Sequence, residues 1–343
     1  SSLPTRILKY LIVIWLILFI YGISRMNWDV IGGLFPIGAR SEWNFLFSRG
    51  GLGGTTGFIV STAKFIYIFV CALFGVSIFF QTKRRSIIIN LMMIVISWPY
   101  FFFTGTRNIL LAVVIPSFLT YFFTVKVSRL QKIVITILVF IVINYLMEIA
   151  ISYRNSGYED FINQLSQGEL VNPETEHHGL NMVQQLLYVD QFLESGLMDL
   201  QGGFYYLAEL LNFIPRAIWE NKPTLTNEYD YLRAAGQATI SAGMIGRAIL
   251  NFGPWFGPPF TAFLLANWVA ILSRLYQQRA SILRYFLFIV GIGLTPNLGR
   301  DITVLVLWPF IFGYIGIVLA EKFVFKPEKM MEFSQLQYSE KVY

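Results

Sequence analysis

Eight long apolar runs punctuate the chain, at 7–24, 57–80, 86–103, 109–124, 133–151, 254–272, 282–296 and 302–320. A spanning helix needs about 20 mainly apolar residues, and backbone polar groups cannot be left unbonded in hydrocarbon, so each run is read as a transmembrane helix. The third, fourth and seventh are short for a full crossing, which leaves room for broken helices or for ends displaced by a turn. The pattern predicts an all-α polytopic membrane protein of about eight transmembrane helices. Spans one to five fill 1–151, a large extracytoplasmic helical loop domain occupies 152–253, spans six to eight fill 254–320, and 321–343 form a cytoplasmic tail. Within the loop domain, Leu180, Val183, Leu186, Leu187, Val189 and Leu193 alternate with Gln184, Asp190 and Glu194, the spacing of an amphipathic helix over 180–194. A second apolar-faced helix is expected over 203–214, ended by Pro215.

Composition agrees. The 343 residues are 55% hydrophobic, 17% aromatic and only 13% charged, with mean hydropathy +0.58, more apolar surface than a soluble core needs. The formal charge of +6 would suit nucleic acid if it were gathered on one soluble face. Instead Lys and Arg flank the spans, so membrane orientation explains them and no nucleic acid is expected. The clusters Arg6/Lys9, Lys83/Arg84/Arg85, Lys126/Arg129/Lys132, Arg274/Arg279/Arg284 and Lys322/Lys326/Lys329 fall in alternate connections. The positive-inside rule makes that side the cytoplasm and puts both termini there. The first run resembles a secretory leader, but Arg25, Met26, Asn27 and Trp28 follow it where a small-residue cleavage site would be, so it reads as a retained span. The chain begins at Ser1, and any spans upstream must be even in number to keep that terminus inside. The single Cys71 lies within a span and reads as a small buried hydrophobe.

The clusters leave a second population of isolated cations on the opposite face, where topology does not call for them. They are Lys64, Arg107, Arg216, Lys222, Arg233, Arg247 and Arg300. Lys64 stands seven positions inside span two, about 10 Å along the helix at 1.5 Å per residue; simple snorkelling is the alternative reading. Arg107, in Thr104-Gly105-Thr106-Arg107, and Arg300, in Asn297-Leu298-Gly299-Arg300-Asp301, occupy two tight hairpins at equal depth, although Arg300 can also pair with Asp301. Guanidinium groups suit phosphate because their planar fork donates two parallel hydrogen bonds and stays charged. The glycine-rich 25–56 segment carries Arg40 and Arg49 but no phosphate-loop signature, and reads as a flexible loop. No metal-ligand spacing appears: His177 and His178 are adjacent and so diverge, which predicts neither metal nor cofactor.

The stretch Phe213-Ile214-Pro215-Arg216-Ala217-Ile218-Trp219-Glu220-Asn221-Lys222-Pro223 is followed by Gly243-Met244-Ile245-Gly246-Arg247, Asn251-Phe252-Gly253 and Gly257. With the Thr104–Arg107 turn and the closing Gly299-Arg300-Asp301, it resembles the bacterial O-antigen polymerases of the Wzy type, which polymerise oligosaccharide repeat units. The resemblance implies a metal-independent inverting glycosyltransferase of GT-C-like architecture in the bacterial cytoplasmic membrane, its site facing the periplasm or cell exterior. Its substrate is an undecaprenyl-pyrophosphate-linked oligosaccharide and its surroundings are membrane lipids; a chain-length regulator of the Wzz type and a flippase are its expected partners. The seven isolated cations are the candidate pyrophosphate-binding residues, and Asp301, His178 and Glu220 the candidate bases, with Glu148 behind them. Arg247 departs from the acidic residue expected at that position in many relatives. Two alternatives stay open: a ligase that moves the glycan to another acceptor, and a transporter or flippase of lipid-linked oligosaccharide.

Overall fold

The computed structural model describes residues 3–38, 45–48, 54–104, 107–153, 157–167, 182–211, 219, 243–279, 281–299, 302 and 306–324. Every regular element among them is helical, and six helices are long and apolar enough to cross a membrane. The chain is an all-helical polytopic membrane protein. Span one is α1 (Leu3–Ser24), followed by the short α2 (Val30–Leu34). Span two is α3 (Gly54–Ser77), continued by a 3₁₀ turn to Phe80. Then come α4 (Arg84–Phe103), α5 (Arg107–Thr124) and α6 (Arg129–Ser152). Beyond them lie α7 (Glu159–Ser166), α8 (Met182–Glu194), α9 (Phe204–Leu210), α10 (Gly243–Gln277), α11 (Ile282–Leu294) with a 3₁₀ turn to Gly299, and α12 (Trp308–Leu319), which runs into a π-turn ending at Val324.

Two expected spans are not among those six: the apolar stretch of α5 on the described residues is Asn108–Thr124, and α12 begins at Trp308, with 303–305 outside the described residues. Of the expected loop helices, 182–194 forms α8, while α9 ends at Leu210, before the expected 214; 212–218 lie outside the described residues.

The bundle is organised around α3. Its neighbours are α1, α4, α5, α11 and α12, and 72% of its spanning stretch is buried. Small residues make this enclosure possible: Ala72 and Cys71 are wholly buried, Gly75 faces Ser117 and Trp98, and Gly313 of α12 faces Phe69. Tyr67 sits among Trp15, Phe47, Tyr100 and Phe101, with ring centroids 5.2 to 6.3 Å apart. Pairwise contacts fix the relative directions and heights of the spans. Gly75 meets Ser117 and Phe79 meets Tyr121, so α3 and α5 run parallel, offset by 42 residues. Trp268 donates Nε1–H to Thr295 Oγ1 at 3.1 Å, and Tyr276 packs on Phe288, so α10 and α11 run antiparallel with Gly299 level with Leu264.

The basic residues Arg84, Arg85, Arg129, Lys132, Arg274, Arg279, Arg284 and Lys322 all lie at one end of this bundle, where α4, α6 and α11 begin and α10 and α12 finish. At that end Arg284 and Glu321 form a bidentate ion pair of 2.6 and 2.9 Å that ties the start of α11 to the end of α12. The opposite end carries α8, α9 and the first part of α10.

Candidate functional site

At the end of the bundle away from the basic clusters, α10 bends back on itself. Gly253 has φ 80° and ψ 171°, a conformation open essentially to glycine alone, and Pro254 follows as the first residue of the span proper. The arm 243–252 therefore lies antiparallel against the first turns of the span. Gly257 permits the approach: a Cβ there would stand 2.7 Å from the backbone nitrogen of Ile249, where nothing can yield. The bend leaves the Leu250 and Asn251 carbonyls without helical donors, because Pro254 has no N–H and the helix is broken at Gly253. The backbone N–H groups of Gln201 and Gly202 supply them, at 3.0 and 2.8 Å.

Asn251, 1% exposed, staples this fold-back. Its Nδ2 donates to the Arg247 carbonyl at 2.8 Å and its Oδ1 accepts from the Tyr205 N–H at 3.2 Å, joining the arm to α9. Phe252 packs on Phe260 at 4.6 Å and on Tyr206 at 6.2 Å. Val189, Met198, Tyr205 and Leu250 form a small core of their own, with Phe192, Leu193 and Ile249 around it. The Asn251-Phe252-Gly253 and Gly257 motif is thus a structural device, the hinge and staple of a helical hairpin.

Arg247 is 5% exposed on this arm, six residues before the hinge. The arm's register against the span (Met244 beside Thr261, Ala248 beside Gly257) sets Arg247 level with Pro258, six residues beyond Leu264 and hence about 9 Å beyond the level of Gly299. Arg107 opens α5. Since Gly293 meets Pro116, the start of α5 stands three residues, or about 5 Å, beyond Gly299. Lys64 is half-buried on α3, and the 42-residue offset places it level with position 106. Measured from the start of its own helix Lys64 appears deep, but α3 overhangs α5 by about that depth. Lys64 and Arg107 therefore share one height on two parallel, touching helices, and Arg247 lies about 3 Å further out on the arm.

Arg216, Lys222, Arg233, Arg300, His178, Glu220 and Asp301 lie outside the described residues; Gly299, beside Arg300, is level with Leu110 near the start of α5. Glu148 is exposed on α6, one turn from its end. Among the described residues no three His, Cys, Asp or Glu side chains stand close enough to share a metal ion.

Two polar residues at this end escaped the reading of the sequence. Arg25, just after α1, has a buried guanidinium nitrogen, Nη1, with no hydrogen-bond partner, and was noted only as a mark against leader cleavage. Asn297 is 2% exposed with its Oδ1 unpartnered, in the 3₁₀ turn where Pro296 interrupts α11. The signal for Asn297 was present in Thr295-Pro296-Asn297, a polar pair around a proline at the end of an apolar run. Lys64 and the first residue of α5 thus stand at one height, with Arg247 about 3 Å beyond them on a stapled hairpin and the buried amide of Asn297 at the same end of the bundle. No protein-family model, curated protein or solved structure matches the chain.

Proposed function

We propose that this protein polymerises undecaprenyl-pyrophosphate-linked oligosaccharide repeat units at the outer face of a bacterial cytoplasmic membrane. In this reading it is a metal-independent inverting glycosyltransferase of GT-C-like architecture. The observation that carries the reading is the shared height of Lys64 and Arg107, with Arg247 just beyond them, at the end of the bundle farthest from the basic clusters. By the positive-inside rule that end faces away from the cytoplasm, where the pyrophosphate of a flipped lipid carrier lies.

The reaction needs little else from the protein than charge and placement. The acceptor hydroxyl oxygen bonds to the anomeric carbon of the donor sugar as the bond from that carbon to the pyrophosphate oxygen breaks, inverting the centre. The hydroxyl proton passes to a base, for which Asp301, His178, Glu220 and Glu148 are the candidates. The electron pair leaves on the pyrophosphate, and preorganised cations stabilise the charge that develops there. Lys64, Arg107 and Arg247 are proposed to supply this, and Arg216, Lys222, Arg233 and Arg300 to complete it. A ligase would use the same donor and differ in its acceptor.

The test is extension of a purified lipid-linked repeat unit in vitro, read as a ladder on a gel. Lys64→Ala and Arg107→Ala are each expected to lose most activity, and the double variant less than the product of the two losses, because groups acting on one leaving group are non-additive. EDTA is expected to leave the ladder unchanged. Multiplicative losses would separate the two cations, a ladder abolished by EDTA would overturn the metal-free mechanism, and transfer of preformed polymer without elongation would indicate the ligase.

A further inference from the structure

Helix α6 is the least enclosed of the spans, only 17% buried over its spanning stretch. It touches α4 and α5, and its more enclosed side carries Ile135, Val139 and Ile143, half-buried, and Met147, Ile149 and Ala150, buried. At 100° per residue the face turned directly away from the bundle holds Val134, Ile137, Ile141, Asn144 and Glu148, with Leu130 at its start. All six are exposed, Leu130 to 71%, Val134 to 53%, Ile137 to 55% and Ile141 to 61%.

One property of this face sets it apart from ordinary lipid-facing surface. Its residues step alternately by four and three, as along any helix face, so that Leu130, Ile137 and Asn144 and likewise Val134, Ile141 and Glu148 are seven apart and can meet a second helix as a seam. Asn144 interrupts this apolar face well inside the span, 12 residues from Lys132 and eight from Ser152, about 18 and 12 Å along the helix. Its Nδ2 donates one hydrogen bond to the Phe140 carbonyl of its own helix at 2.8 Å. The second N–H and the carbonyl oxygen find no partner in hydrocarbon, and an exposed amide there is costly unless another helix covers it. Glu148, one turn higher, is close enough to the helix end to reach water.

The amide also identifies the covering helix. A carboxamide donates and accepts at once, so it is its own complement. Copies of one chain insert in the same direction, so a twofold axis along the membrane normal brings residue 144 to residue 144. A lone Asn in an otherwise Leu/Val/Ile seam is the device that fixes register in a parallel two-stranded pair.

We propose that α6 is a self-association helix: two copies of the chain pair in parallel along Leu130, Val134, Ile137, Ile141 and Asn144, with the two Asn144 amides hydrogen-bonded across the axis. This inference does not depend on the catalytic reading.

The test uses the full chain in native membranes, oxidised with copper phenanthroline. Single cysteines are placed on the seam at Ile137 and Ile141, beside it at Leu138 and Val142, and on α1 at Ile17. Cys71 is fully buried within α3, so the parent chain supplies the blank. Disulfide-linked dimers are expected at 137 and 141, at least about fivefold weaker at 138 and 142, and absent at 17. In lipid nanodiscs, Asn144→Leu is expected to weaken the dimer constant by about 3- to 30-fold, the range for an interhelical polar contact in a bilayer, while Asn144→Gln retains part of it. Cross-linking without the four-three periodicity, a monomer at every protein-to-lipid ratio, cross-links only to a different protein, or an Asn144→Leu dimer as tight as the parent would each overturn the proposal. Should Asn144→Leu fail to insert, the periodicity of the cross-links decides alone.

Discussion

Helices α3 and α6 are both long and strongly apolar, yet α3 is buried on nearly every side and α6 on almost none, 72% against 17%. Apolar character alone does not separate them, because lipid and protein interior are equally hospitable to Leu, Ile and Phe. What separates them is the distribution of small residues. Along 63–77, α3 sets Ala63, Cys71, Ala72, Gly75 and Ser77 among large aromatics, and neighbours come close at each. Between Ile133 and Ile143, α6 is an almost unbroken run of β-branched and large residues, with no glycine, alanine or serine to admit a second backbone. Steric access decides which apolar helix becomes the centre of the bundle.

The contrast is broken most severely at Gly75. A Cβ there already runs into Ser117 Oγ and stands 2.8 Å from Trp98 Cζ2, so Gly75→Leu must push α4 and α5 away together. Overpacking of this kind costs about 1–3 kcal/mol, and contact with two rigid neighbours puts this variant at about 3 kcal/mol. Thermal unfolding in detergent, followed by the monodisperse fraction on gel filtration, is expected to fall by far more than for any lipid-facing substitution on α6. A smaller expected effect comes from Trp268→Phe. Trp268 is 2% exposed, packs on Phe310 at 4.9 Å and donates to Thr295, which in turn donates to the Gly291 carbonyl at 3.0 Å. The loss of one buried hydrogen bond is worth about 1 kcal/mol, and the same unfolding assay is expected to show it without a change in oligomeric state.

The bilayer made the spans legible, since its thickness and its refusal of unbonded backbone leave few alternatives to a helix. The heights of the cations were less so. Lys64 counted from the end of its own run seems buried well below Arg107; the parallel offset of α3 and α5, visible only in contacts such as Phe79 with Tyr121, puts the two level. The glycines 253 and 257 stood out in the sequence, but their purpose did not, because the partners that explain them lie on the folded-back arm and on Gln201 and Gly202. Asn297 and Arg25 were passed over because single polar residues at helix ends are common, and only burial without a partner distinguishes them.

The smallest effect sharpens the comparison from the other side. Leu138 on α6 is 59% exposed and lies off the Asn144 seam, with lipid as its neighbour both before and after truncation. In water, shortening a leucine at a packed position costs a transfer term and a cavity term. Here the side chain leaves hydrocarbon for hydrocarbon and lipid tails close over the gap, so both terms vanish and only a slight gain in helix propensity remains. Leu138→Ala is expected to shift the unfolding midpoint within the scatter of the parent, less than about 0.5 kcal/mol. A loss of 2 kcal/mol or more in the monodisperse monomer would mean that α6 is packed against protein on that flank too. The exposure of α6 would then extend to a second interface beside the seam.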